Sequence, residues 1–464
     1  MPWRDVVQPA PMRRIAVVAP ADRSRDVLVA LARSGAVQMD DPVDGAREGP
    51  AAGALHRLGG TPATPLLAVT APDVEALVAA GRGDLLAGEA ELERRTAGAA
   101  ADGTLRAWVG WCPDERAGEL SAALAAVEAA LVPLPRPAGA DPPTLLRHGA
   151  ALRESFAPLV GTYGTVPYAD VDPTMLAGLA YVVMFGMMFA DAGHGALLLI
   201  GAVALRAARH GRFARLRRVW PFVAAAGLAS AAFGVLFGEF FGPTGVLPVR
   251  WLAPLDQPVQ LLAAGVGLGA VLLAGAYAVG VVNRWREGGP RAALYSPSGI
   301  AGAALFAGLG ALAAGLYLGR WELAGPGAAV AALAVVLAGI GLFAASGGGA
   351  AGVAETGVQL FDLVIRVAAN VVSFARLAAF GLTHAALGAL VWSGTVALWR
   401  RHEVIAVVLA LLLFVVGNAL TFGLEALVAG VQALRLEYYE LFSRVFEAEG
   451  RPFRPWSVPV EEVP

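Results

Sequence analysis

The run Val404-Ile-Ala-Val-Val-Leu-Ala-Leu-Leu-Leu-Phe-Val-Val-Gly-Asn-Ala-Leu-Thr-Phe-Gly-Leu-Glu425 carries no charge until its last residue. A helical bilayer crossing needs ~20 apolar residues, and this run supplies them. It is one of a series. From Pro173 onward the chain is apolar in blocks, which read as spans near 174–190, 192–205, 219–241, 258–283, 298–318, 326–345, 358–394 and 403–446. Composition agrees: 57% of the 464 residues are hydrophobic and 16% charged, where soluble domains run near ~25% charged. The fold expected is mainly α. A polytopic helical membrane domain of about eight spans, the last two long and tilted, carries a small α+β N-terminal domain.

Composition also excludes. One cysteine, Cys112, rules out a disulfide scaffold. A net charge of −2, with no basic run interleaved with aromatics, speaks against nucleic acid. His56, His148, His194, His210, His384 and His402 never pair at metal-ligand spacing, so no metal site and no cofactor are expected. No Ser/His/Asp or Cys/His set stands out and the soluble part lacks a P-loop, so no catalytic site of its own is expected.

Residues 1–172 read as a cytoplasmic α+β domain without a signal peptide. Strands are expected at 12–19 and 105–111, and helices at 23–34, 73–95 and 114–131. The stretch 40–65 reads as a loop and 133–143 as a Pro-rich linker. The membrane domain is expected over 173–447, with a cytoplasmic tail at 448–464. Between the first domain and the next soluble stretch lies a loop with Arg206, Arg209, Arg212, Arg215, Arg217 and Arg218. Such a loop stays cytoplasmic, so an even number of crossings precedes it. Two short helices broken near Asp191-Ala192-Gly193 meet that condition. Arg284, Arg286 and Arg291 then also fall inside; Arg400 and Arg401 fall outside, against the rule. The chain is thus expected to be multi-pass in the cell membrane, with both termini cytoplasmic.

Charges inside the spans carry the functional reading. A charge at bilayer depth costs ~2.5–3.5 kcal/mol on insertion scales, and such residues mark ion pathways. Arg376 reads as mid-helix, with Ser373, Thr383 and His384 on its face. On the last helix Asn418, Thr421, Glu425, Gln432 and Arg435 share one stripe. Glu425 is then ~15 Å further out than Arg435, His384 ~12 Å outward of Arg376 and Asp362 ~21 Å inward of it. Two aqueous half-paths separated by fixed positive charge fit this order. The alternative is that both arginines are internal ion-pair partners, for example of Glu425. Asp362 reads equally as a snorkelling interface residue. Glu239 reads as a solvated span end, and Asp191 and His194 as a helix cap and break ahead of the alternative that they bind an ion. Gly265–Gly269 reads as helix packing.

The same residues carry a family resemblance. Ser373-Phe-Ala-Arg-Leu-Ala-Ala-Phe-Gly-Leu-Thr-His-Ala385 resembles the arginine helix of the membrane stator subunit of V-type and A-type rotary ATPases, called subunit a or subunit I. Gln432-Ala-Leu-Arg-Leu-Glu-Tyr-Tyr-Glu440, Phe442-Ser-Arg-Val-Phe446 and Gly450-Arg-Pro-Phe453 resemble its final helix and tail. Met184-Phe-Gly-Met-Met-Phe-Ala-Asp-Ala-Gly-His-Gly195 is similar to its first membrane motif. Tyr163-Gly-Thr-Val-Pro-Tyr-Ala-Asp-Val-Asp-Pro-Thr174 and Gly110-Trp-Cys-Pro113 also fit. The likeness covers roughly 105–455, plus 12–41. It implies a rotating proteolipid ring as partner, with soluble ATPase subunits, peripheral stalks and the lipid membrane. Arg376 matches the family's essential arginine and Arg435 its second; Glu425 and His384 match the outer half-channel, Asp362 an inner acidic position. The translocated ion is a proton or Na⁺. One departure stands out: about 60 residues, 42–103, occupy the place of a long coiled-coil hairpin that reaches the stalks. A stand-alone secondary ion transporter, or a non-transporting remnant of the family, would carry the same stripe.

Overall fold

The computed structural model describes residues 8–41, 49–59, 64–137, 139–147, 151–208, 214, 216–446 and 449–461. They pack as two units, 1–147 with 450–464, and 148–449. Residues 151–172, grouped above with the soluble part, thus pack with the helical unit, and the tail packs with the first.

In the first unit, strand Met12–Pro20 alternates so that Ile15, Val17 and Ala19 are buried on one face. It lies between Leu105–Pro113 and Ala130–Pro133, antiparallel to both, and Gln38–Met39 flanks Leu105–Pro113. Helices Ser24–Ser34 and Asp114–Ala125 complete a split βαβ arrangement. Val27, Leu28, Leu31, Leu120 and Leu124 meet the sheet residues Ile15, Val17, Trp108 and Cys112 in one core. Burial in that core pushes the Cys112 thiol up to about 11. The tail returns to the same core with Trp456 and Val458, and Val460–Glu461 pairs in parallel with Leu67–Ala68.

Three local expectations are corrected. Region 73–95 is two helices, Val74–Ala79 and Gly83–Ala97, because Gly81 turns the chain at φ 65°. The helix expected over 114–131 stops at Ala125; Glu128 takes φ 59° and Ala130–Pro133 becomes an edge strand. The loop expected at 40–65 contains helix Pro50–Leu58, which has its proline in the first turn, while 42–48 and 60–63 lie outside the described residues.

The second unit is helical. Ala151–Tyr163 leads through a buried loop into Thr174–Met188 and Ala192–Ala207. In that loop Asp172 pairs with Arg153 and accepts from the Thr174 N–H at 2.9 Å. Asn283 accepts from the Val171 N–H at 2.9 Å and donates to the Val445 carbonyl at 3.1 Å. Asp170 is fully buried, and burial, then the neighbouring Glu287 carboxylate, push it up to about 8. Among the described residues, six further stretches are long and apolar enough to cross a membrane: Arg217–Phe237, Pro258–Tyr295, Ile300–Tyr317, Trp321–Ala345, Gly349–Trp399 and Val404–Val445. Thr174–Met188 and Ala192–Ala207, with 15 and 16 residues, fall short of that length. The chain is a multi-pass membrane protein in which an expected count of eight becomes six long stretches and two short ones. Arg209, Arg212 and Arg215 of the basic loop lie outside the described residues.

Candidate functional site

The site begins where Thr174–Met188 stops. Phe189 leaves the helix, and Asp191 caps the next one by accepting from the His194 N–H at 2.9 Å. The cap expected from sequence is therefore present, but the carboxylate does more. It also accepts from the Phe241 N–H at 3.0 Å and the Gly242 N–H at 2.8 Å. Glu239, expected to be a solvated span end, is 4% exposed, and its carbonyl accepts from the Ala192 N–H at 3.0 Å. The reason is that 238–242 folds back over the break and supplies partners to its open backbone groups.

His384 comes to this break from the helix Ala375–Trp399. Its Nε2 stands 4.0 Å from Asp191 Oδ2, and its Nδ1 pairs with Glu425 of the helix Val404–Leu436. His194 lies beside it, ring centroids 5.5 Å apart, with its Nδ1 4.0 Å from Asp191 Oδ1. Asn418 faces His194 as well, while its amide donates to the Phe414 carbonyl at 2.8 Å. Phe189, Phe241 and Phe422 surround the two imidazoles at 5.1 to 5.7 Å. Four ionisable side chains thus meet in an aromatic enclosure, with His194 1% and His384 3% exposed.

Arg376 stands elsewhere on the same helix pair. It was expected mid-helix, in one span with Asp362. Instead Gly349–Ser373 and Ala375–Trp399 meet at Phe374, and Arg376 lies in the first turn of the second. Phe374 is fully buried because Gly269 leaves room for it: a Cβ there would stand 2.0 Å from the phenyl ring. Gly269 and Gly265 thus pack helix against helix, as expected. Glu440, buried just beyond the final helix, is faced by Ser373, Arg376 and Arg435. Arg376 is half-buried, with Nη1 enclosed and unpartnered; Arg435 is exposed. Gln432 Oε1 is enclosed without a hydrogen bond.

The sequence stripe therefore divides. His384, Glu425 and Asn418 gather around Asp191 and His194, while Ser373, Arg376 and Arg435 gather around Glu440. Glu425 pairs with His384, and no ion pair joins it to either arginine among the described residues. Thr383 is exposed and bonds back to the Ala379 carbonyl at 2.9 Å. Asp362 is exposed and pairs with Arg366 one turn on. Sequence reading missed Glu440, Glu437 and Arg444, all buried. They stand in a charged stretch that looks like a solvated helix end; the aromatic spacing of Tyr438, Phe442 and Phe446, which pack on Tyr163, was the available signal.

Comparison with known proteins agrees with these motifs. The V-type ATPase 116kDa subunit family matches residues 100–216. "A-type ATP synthase subunit I" of Aeropyrum pernix is 28% identical over 70% of this chain and 52% of its own length. The protein of the same name from Pyrococcus horikoshii is 27% identical over 65% and 45%. "V-type ATP synthase subunit I 2" of Treponema pallidum is 39% identical over 27% of this chain and 26% of its own length. The chain spans about half the length of the curated archaeal relatives it matches. The chain is thus similar, over these stretches, to the subunit I proteins of A-type and V-type ATP synthases.

Proposed function

We propose that the chain is the fixed membrane subunit of a rotary ATPase and passes protons, or Na⁺, to and from a ring of proteolipid subunits supplied by other chains. Each ring subunit brings one carboxylate to Arg376 and Arg435. Their positive charge favours the ionised carboxylate, so its proton leaves. Rotation then carries the carboxylate into lipid, where it must be neutral. The cluster of Glu425, His384, Asp191 and His194 serves one half-path, and Asp362 lies toward the other, cytoplasmic one. Both chain ends are cytoplasmic in this reading. In this reading the helices Pro50–Leu58, Val74–Ala79 and Gly83–Ala97 take the place of the longer hairpin of the resembled family, and ATP is hydrolysed on other subunits.

One observation carries the reading: a half-buried, incompletely paired Arg376 on the same two helices as a buried His384–Glu425 pair. Intramembrane charges are kept for such tasks. The test is to purify the tagged chain from its native membranes in mild detergent and identify its partners. Recovery of a small proteolipid with a mid-membrane carboxylate, together with soluble ATPase subunits, supports the motor. Recovery of the chain alone, under conditions that keep other membrane complexes whole, overturns it in favour of a transporter or remnant.

A further inference from the structure

We propose that Asp191, His194 and His384 form a binding site for a divalent transition-metal ion of the zinc class. The three side chains are buried, and one ligand atom from each lies within 4.8 Å of the others. Sequence spacing hides the pairing, because the break at Phe189 and the Ala375–Trp399 helix bring His194 and His384 together only in the fold.

Each ligand is available. Asp191 Oδ1 accepts two backbone N–H bonds and Oδ2 one. A carboxylate has about four lone-pair sites, so Oδ2, the oxygen facing His384 Nε2, retains one. His194 makes no hydrogen bond through either ring nitrogen while being 1% exposed. A buried imidazole without partners is costly, and a metal ion satisfies it. His384 points Nε2 toward Asp191 and Nδ1 toward Glu425. That is the outer-shell arrangement in which a carboxylate fixes the ring of a metal-bound histidine.

Charge and donor type narrow the ion. Asp191 and Glu425 together balance a double positive charge, which matters in a low-dielectric enclosure. Two imidazoles and one carboxylate suit zinc, cobalt or nickel rather than magnesium or calcium, which prefer all-oxygen shells. Tetrahedral metal–ligand bonds of 2.0–2.2 Å put ligand atoms about 3.3 Å apart. The 4.0 Å separations run to the two different Asp191 oxygens; with a single Asp191 oxygen the three ligand atoms lie within 4.8 Å of one another, so they close by up to about 1.5 Å around an ion. Phe189, Phe241 and Phe422 provide the apolar shell, and Glu425, 13% exposed at its side chain, marks the way in.

The test titrates Co²⁺, then displacing Zn²⁺, into the detergent-solubilised full chain and follows the visible cobalt spectrum. The expected result is one ion per chain with a tetrahedral nitrogen/oxygen spectrum. His194→Gln and His384→Gln should abolish it, and Glu425→Gln should weaken it 10–100-fold. His194→Cys, at unchanged helix content, should add a sulfur-to-cobalt charge-transfer band. No tetrahedral spectrum, or one that survives His194→Gln and shows no such band in His194→Cys, overturns the site. A functional consequence rests on the translocation reading: bound Zn²⁺ would withdraw His384 and inhibit ATP-driven uptake by the intact complex, and a chelator would restore it. Binding without inhibition leaves the metal site standing and removes His384 from the ion path.

Discussion

The polar residues of the last two helices fall into two groups with opposite surroundings. Around Asp191 the charges are enclosed and matched: His384 pairs with Glu425, and Asp191 takes three backbone N–H groups. Around Arg376 they are partly open: Arg435 is exposed, and one end of the Arg376 guanidinium has no partner. The first group pairs most of its charge within the chain; the second leaves part of the Arg376 guanidinium without a partner. Buried matched charges hold structure, because removing one partner leaves the other stranded. Exposed charges contribute little to folding. Stability and transport should therefore separate between the two groups.

The largest effect expected is on transport. Arg376→Ala should abolish ATP-driven ion uptake in vesicles while the protein stays inserted, as read by membrane extraction; normal pumping would break the distinction. Next comes His384→Ala, which strands the Glu425 carboxylate and should cost about 3–5 kcal/mol, seen as a fall in thermal midpoint in detergent. A change as small as that of a surface variant would show that the cluster is not a matched unit. Gly269→Ala comes third. Its new methyl meets the Phe374 ring, and overpacking of this kind costs about 1–3 kcal/mol. Because Phe374 adjoins the Arg376 turn, uptake should fall with it, and unchanged uptake would uncouple the two. Arg435→Ala should change stability by less than about 1 kcal/mol, leaving the thermal midpoint nearly unmoved, while still lowering uptake.

A separate effect is a slope with pH. Asp170 ionises near 8 in the folded chain and near 3.9 when unfolded. Its folded value is raised, so its favourable contribution is complete below the unfolded value and is lost as pH rises through the folded one. Between about pH 4 and 8 stability should decline, and Asp170→Asn should flatten that decline in pH-dependent melts. An identical slope in the variant would remove Asp170 from the account.

Legibility followed contrast. Hydropathy located the long helices because apolar runs of that length have few other uses. Arg376, His384 and Glu425 were legible as isolated polar groups in apolar runs. Asp191 and His194 read as a cap ahead of ion binding, since the His384 that joins them comes on Ala375–Trp399 from far along the chain. The break at Phe374 left no trace either: no proline or glycine marks it, and Gly269 on another helix makes room for the ring. In the soluble unit, Ala130–Pro133 is four residues long, too short for alternation to show against the preceding helical period.

The returning tail has a consequence for biogenesis. Trp456 and Val458 belong to the same core as Ile15 and Leu28, so the two ends of the chain must occupy one side of the bilayer. Any odd number of crossings in between is excluded, whatever the two short helices do. The core is also finished last, since its closing strand Val460–Glu461 leaves the ribosome after every membrane helix. Wrong insertion of any single helix would strand that strand on the far side and leave Leu67–Ala68 without its partner. Completion of the soluble unit thereby acts as a parity check on the threading of the whole chain.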